Sequence, residues 1–391
     1  MRKRFTFIAL LLALALVAAA CGGDDSSDTT TATTAATTTT TAAAGDDATT
    51  TTAPAETTTT TEQVFDEVTL LVVNNMAHLP VFVAQQEGLW ADRGLNVDVQ
   101  ILGSGADIAA GLESGQAEFG AVNAGTGVAP QRASGLLTKI VAPYNNDATD
   151  ARYVRWIGIV GRADKGVTTN PQSLKGKKIG VTGGGTPRAY LTAFNNVNGL
   201  TEDDYEIVAM GAPDMLTSII NGDVDAVIPW DPFYTAAIDE LGRANAVLVS
   251  DGESLVTSSI GLGAVDGQLE SKPDVFKRLI EGLVEATYLI RSDPEANAPT
   301  VLNYISTVTE EQAIMAMTRN SYDPRISICT EWGVEDTAGQ LRDAGRFDAT
   351  FTSSDLIDAS ILDVVLAEHP EWLGDLPALP TDLADCTGYT G

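Results

Sequence analysis

Beyond residue 64 the apolar positions fall into two rhythms. Val68 to Val73 is a nearly continuous apolar run, as a strand buried on both faces requires. Pro80 suits the first turn of a helix, where its missing N–H costs nothing. That predicts a helix through Val81-Phe82-Val83-Ala84 to about Trp90. Leu95, Val97, Val99 and Ile101 alternate with polar residues, the period of a half-buried strand. Ser104-Gly105 opens a helix over 106–114, Gly115 ends it, and Phe119 to Val122 is the next strand. The β-α-β-α succession predicts an α/β fold with mostly parallel strands and helices on both faces.

A second set repeats the pattern. Leu174-Lys-Gly176-Lys-Lys-Ile179-Gly-Val181 is a turn feeding a strand, and Gly183-Gly184-Gly185-Thr186-Pro187 leads into a helix through Phe194. Tyr205 to Ala209 reads as a strand, Met215 to Asn221 as a helix ended by Gly222, and Asp225 to Ile228 as a strand. Leu112-Glu-Ser-Gly115-Gln-Ala-Glu118 is echoed by Ile219-Ile-Asn-Gly222-Asp-Val-Asp225: a helix end, a capping Gly, two residues, an acid and a buried strand. Gly serves that cap because the left-handed conformation costs it little. Ile260 to Val265 reads as a strand returning the chain to the first lobe. Helices are then expected over 273–291, 298–306, 310–320, 331–344 and 354–368, packed on that lobe and bracing the two together.

The segment before residue 64 is of another kind. Arg2-Lys3-Arg4, an apolar run from Phe5 to Ala20 and then Cys21 form a secretory pattern with small residues at the cleavage point. The run is short for a membrane span. Ala18-Ala19-Ala20-Cys21 resembles a bacterial lipobox, whose Cys is acylated and becomes the mature N-terminus; the alternative is an ordinary leader with an incidental Cys. Gly22 to Gln63 is mostly Thr and Ala and offers almost nothing to a core, so it reads as a tether. A coil of that length spans about 35 to 40 Å. The expected organisation is a leader over 1–20, a lipid-anchored tether over 21–63, the first part of lobe 1 over 64–163, lobe 2 over 164–255, and over 256–391 a return to lobe 1 with C-terminal helices. The remaining length exceeds one comfortable core, which is what divides it.

The formal net charge of −30 excludes electrostatic binding to nucleic acid or to an anionic membrane face, so membrane contact is expected through the N-terminal lipid alone. Cys329 and Cys386 remain once Cys21 is lipidated, an even number in an oxidising compartment, and a disulfide between them is expected. The alternative is two buried thiols.

Signals for catalysis are poor. His78 and His369 are the two histidines, and no zinc-protease, Cys-x-x-Cys, nucleophile-elbow or P-loop motif occurs. Gly261-Leu-Gly263-Ala-Val-Asp-Gly267 has one residue too many for a dinucleotide fingerprint and reads as strand and turn. No cofactor, no metal and no enzymatic activity is expected. In open α/β sheets ligands bind beyond the carboxyl ends of strands. The segments falling there bring His78, Ser104, Gly105, Asn123, Gly125, Thr126, Gly184, Gly185, Thr186, Arg188, Trp230 and Asp231 forward as candidate ligand residues. Helix N-termini offer free amides, glycines let a ligand approach the backbone, Thr126 and Thr186 add hydroxyls, and Arg188 forks onto oxyanions. Each has a plain alternative. The glycines serve tight turns, Arg188 faces solvent, Thr186 is an N-cap, Trp230 packs in the core, and His78 is structural.

His78-Leu79-Pro80, Val83-Ala84, Gly88-Leu89, Gly94-Leu95-Asn96-Val97, Gly115-x-x-Glu118, Leu174-Lys175-Gly176-Lys177 and Asp225-Ala226-x-x-x-Trp230-Asp231-Pro232 occur in order. Over about 68–290 they resemble periplasmic proteins that bind aliphatic sulfonates, taurine and nitrate. The resemblance implies a two-lobe, type II periplasmic-binding-protein fold with a cleft between lobes, and an ABC permease with its ATPase as partners. The chain is then expected to be a monomeric, extracytoplasmic lipoprotein that captures a small anion. The same superfamily holds binders of thiamine-pyrimidine precursors and a yeast enzyme of thiamine synthesis. An enzyme of the same fold, such as a pyrimidine synthase, and a heterocycle binder are therefore alternatives, and the tether allows a surface sensor without transport. Glu118 replaces the usual Asp, and Gly183-Gly-Gly-Thr-Pro-Arg188 stands where the family often has Ser or Ala. Since loop chemistry sets the ligand, these departures bear on which solute is bound.

Overall fold

The structure is a computed structural model describing residues 65–252 and 255–390. The leader, the tether and Cys21 lie outside the described residues. Among the described residues no helix is long and apolar enough to cross a membrane.

Among the described residues ten strands form two five-stranded sheets. In chain order they are β1 (Asp66–Val73), β2 (Leu95–Leu102), β3 (Phe119–Asn123), β4 (Thr138–Asn145), β5 (Ile159–Arg162), β6 (Lys178–Val181), β7 (Glu206–Ala209), β8 (Ala226–Val227), β9 (Ala246–Ser250) and β10 (Ile260–Val265). The sheet orders are β2-β1-β3-β10-β4 and β7-β6-β8-β5-β9. Each sheet has a single reversed strand at the fourth place: β10 runs antiparallel to β3 and β4, and β5 to β8 and β9. The remaining strands of each sheet share one direction, as the sequence predicts. The reversed strand is in both cases the first one after the chain crosses from the other sheet. Hence β5 already belongs to the second sheet, and the crossing precedes residue 159 rather than falling at 164.

The repeated sequence echo has a repeated job. Glu118 Oε2 accepts the backbone N–H of Thr69 on β1 at 3.2 Å, and Asp225 Oδ2 accepts that of Lys178 on β6 at 2.9 Å. In each half the acid before the third strand of the unit caps an N–H of the central strand.

Most predicted elements stand where expected, with differences at their ends. The first helix is Leu79–Gln86 and stops before Trp90, because Gly88 turns the chain in the left-handed region (φ 70°). Trp90 instead inserts under the long helix Pro273–Ser292, its Nε1 donating to Leu279 O at 3.0 Å. Gly282 permits this, since a Cβ there would lie 2.5 Å from the indole. The expected helix over 298–306 is a 3-10 helix, Ala298–Asn303. The one over 354–368 is broken into Ser353–Leu356 and Ser360–Glu368, because Ile357 is extended and bridges Ile140 of β4. The helix Ile328–Asp343 starts three residues earlier than predicted, where the Ser327 hydroxyl accepts the N–H groups of Cys329 and Thr330. Cys329 is bonded to Cys386, with Cα atoms 5.6 Å apart, which ties the C-terminal tail to that helix. The late helices touch both halves. Pro273–Ser292 packs on the first sheet, where Phe276 meets Phe119 edge to face at 4.6 Å, and Gln312 reaches Asp239 beside the second.

Candidate functional site

A cavity of about 440 Å³ lies between the two sheets, beyond the carboxyl ends of β1, β3, β6 and β8. That is the position the topology dictates, since each of those strands hands the chain to a turn facing the other half. Val73, Asn75 and His78 come from the turn after β1, and Asn123, Thr126 and Gln131 from the segment after β3. Thr182 to Arg188 follow β6, and Trp230 follows β8. Trp156 comes from the crossing before β5, and Leu341 and Arg346 from the C-terminal region.

Asn123 caps the turn after β3: its Oδ1 accepts from Thr126 N at 3.3 Å, and its Nδ2 donates to Ser258 Oγ at 3.0 Å. Thr126 Oγ1 lies 2.8 Å from Thr186 Oγ1, joining the two halves across the cavity floor. Thr186 is the first residue of the helix Thr186–Asn198, and Gly185 (φ 75°) is its N-cap. The hydroxyl of Thr186 is thus not a helix cap. Added Cβ atoms at Gly183, Gly184 or Gly185 would meet nothing within 4 Å, so packing does not demand these glycines, whereas the positive φ of Gly185 favours one there.

His78 lines the cavity but is buried, with Nδ1 2.9 Å from the Tyr144 hydroxyl, and burial lowers its pKa to about 3. It is a neutral imidazole at ordinary pH. Trp230 lines the wall and donates Nε1–H to Asn74 O at 2.8 Å. Gly105 lines the opposite wall.

Three expected site residues are placed elsewhere. Ser104 caps the helix Gly105–Glu113 and donates to Asp107 at 2.8 Å. Gly125 faces the helix Ile328–Asp343, where a Cβ would lie 2.9 Å from Thr337, so its smallness serves packing. Asp231 is fully buried and turned to Arg319 Nε (3.0 Å) and Thr235. Burial raises the Asp231 carboxyl, against the attraction of Arg319.

Arg188 neither faces solvent nor stands alone. Its Nη2 donates to Glu202 at 2.7 Å, while Nη1 is buried with no hydrogen-bond partner among the described residues. Glu202 also accepts from Arg346. Sequence reading missed Arg346, which has no local signal, and Trp156, whose apolar run Trp156-Ile-Gly-Ile-Val160 was a legible strand cue. The indole Nε1 of Trp156 has no partner among the described residues. None of the described lining residues is Asp or Glu, and Arg188 and Arg346 bring positive charge to the lining. In a chain of net charge −30 that is a local reversal of sign.

A family model described as NMT1/THI5 like matches residues 75–297. Among curated proteins, the chain is 28% identical over 178 residues to a 4-amino-5-hydroxymethyl-2-methylpyrimidine phosphate synthase of Uromyces fabae, covering 46% of this chain. The match spans about half (49%) of that relative's length. Among solved structures, the alkanesulfonate-binding protein SsuA of Xanthomonas axonopodis pv. citri bound to MOPS superposes with a TM-score of 0.63 at 16% identity, over 75% of this chain and 98% of that one. The periplasmic nitrate-binding protein NrtA of Synechocystis PCC 6803 gives a TM-score of 0.62 at 13% identity, over 81% and 92%. These likenesses establish the periplasmic-binding-protein fold.

Proposed function

The chain belongs to the NMT1/THI5-like family, and from that premise we propose that it is an extracytoplasmic solute-binding lipoprotein that delivers a small organic anion to an ABC permease and its ATPase. In this reading Cys21 carries the lipid, the segment to residue 63 is the tether, the two sheets are the cores of two lobes, and the protein acts as a monomer. Ligand touching both lobes favours their closed arrangement, and the permease reads closure.

The observation that carries the proposal is the cavity wall. It combines two arginines, a glycine turn opening a helix, hydroxyls and no described carboxylate, between sheets of matching topology. Helix N-termini and guanidinium groups both favour an oxyanion. The remaining wall, with Val73, Ile108, Trp156, Trp230 and Leu341, is apolar. A nitrate ion would leave most of about 440 Å³ unfilled and the apolar wall without a partner. An anion carrying a hydrocarbon or ring, such as a sulfonate, uses both. Trp156 and Trp230 favour one second reading, a binder of a pyrimidine precursor or another heterocycle.

The test is the unfolding midpoint of the purified protein against alkanesulfonates, taurine, nitrate, dicarboxylates, the thiamine pyrimidine and riboflavin. A ligand at about 100 times its dissociation constant adds roughly 2.7 kcal/mol, a shift of a few degrees. An upward shift with the organic anions is expected. A shift with the heterocycles alone would transfer the assignment to the second reading, and none at all would remove the solute-binding role.

A further inference from the structure

Arg346 lies outside the span matched by the family model, 75–297, yet it stands at the cavity beside Arg188. It follows the helix Ile328–Asp343, which packs on the segment Ala124–Val128 of the first half through Thr337 and Gly125. From there its Nη2 crosses to the second half, donating to Glu202 Oε1 at 2.5 Å and to Thr192 Oγ1 at 2.8 Å. Thr192 in turn donates to Arg188 O at 2.9 Å. Glu202 takes Arg188 on its other oxygen, Oε2, at 2.7 Å. One carboxylate therefore holds two guanidinium groups from opposite halves, each on a separate oxygen.

Resting on the anion-binding reading above, we propose that Arg188 and Arg346, spaced by Glu202, form the headgroup subsite, and that this subsite selects a singly charged oxyanion over a doubly charged one. Two cations and one carboxylate leave a single positive charge. Arg188 and Arg346 both line the cavity, so that charge stands at its wall. A sulfonate or carboxylate matches that residual charge. A dianion would bring one charge with no counterpart into a partly desolvated site of a strongly acidic protein, which is costly. Glu202 is a positioning residue here. It sets the spacing of the two guanidiniums and the net charge they present.

The experiment is calorimetric titration of the full chain with 1-hexanesulfonate and with hexyl phosphate at about pH 8, where a phosphate monoester is close to doubly charged. The wild type is expected to bind the sulfonate about tenfold or more tightly than the phosphate, and Arg346→Ala to weaken sulfonate binding about tenfold, the worth of a charge-assisted hydrogen bond. Arg346→Lys, which keeps the charge, should recover part of the loss. Glu202→Gln should narrow or reverse the preference for sulfonate; a ratio taken within one variant does not depend on its stability. Sulfonate binding by the wild type that Arg346→Ala leaves unchanged, or an unaltered ratio in Glu202→Gln, would overturn the subsite and leave the anion reading standing. A wild type that binds neither probe would overturn both.

Discussion

Thr126 Oγ1 and Thr186 Oγ1 lie 2.8 Å apart, both side chains buried, so one hydroxyl hydrogen joins the turn after β3 to the helix after β6. Replacing either by Val keeps the shape and leaves the other hydroxyl without this partner. Each single change is expected to cost about 1 to 2 kcal/mol, and the pair together about 1 kcal/mol less than the sum. Denaturant unfolding of the four proteins measures this; strictly additive costs would show that the contact is not formed in solution.

The buried His78 makes the fold sensitive to acid. Its folded pKa, lowered by burial to about 3, lies below the ordinary value of 6.5, so the folded state resists the proton. That contribution is whole above the unfolded pKa and is lost progressively as pH falls from there towards 3. At pH 5 the loss is about 2 kcal/mol, at about 1.4 kcal/mol per unit. Urea unfolding of the wild type and of His78→Gln at pH 7 and pH 5 should differ in pH response by that amount. Equal responses would mean that another group controls it.

The Cys329–Cys386 bond closes a loop of sequence separation 57. Chain entropy sets an upper figure of about 4 kcal/mol for such a loop, and a loss of about 2 to 4 kcal/mol is expected when both cysteines are changed to Ser. The loosened part should be the tail and the helix Ile328–Asp343. Limited proteolysis should therefore cut beyond residue 327 first, and an unaltered cleavage pattern would contradict this.

Arg319 Nε donates to the fully buried Asp231 at 3.0 Å, and its guanidinium carbon sits 5.1 Å from the centre of the Tyr234 ring. Arg319→Ala strands the carboxylate and is expected to cost about 3 to 5 kcal/mol. Adding Asp231→Asn should restore part of that loss, as chemical denaturation would show. Failure to restore any would place the cost in lost packing on Tyr234.

What was legible in the sequence was local. Gly115 and Gly222 cap helices, because a helix end, a cap and the next strand are set by near neighbours; the bonds of Glu118 and Asp225 to the central strands reach residues far along the chain and were not legible. Of the strands that sequence reading left unassigned, β5 had a local cue in the apolar run entering it, whereas β4 and β9 are placed by partners far along the chain, β4 beside β10 and β9 beside β5.

By itself the sequence determined the two repeated α/β units, the helical C-terminal region and the turns that face a cleft, since apolar period, Pro and Gly act within a few residues. Only the tertiary structure decided what each turn residue does. Gly125 and Asp231 stand in the same kind of turn as Thr126 and Trp230, yet one packs on Thr337 and the other pairs with Arg319. Arg346 joins the cavity across 154 residues from Thr192. A side chain's partner across such a separation is chosen by how the sheets and late helices pack, and no local pattern encodes that choice.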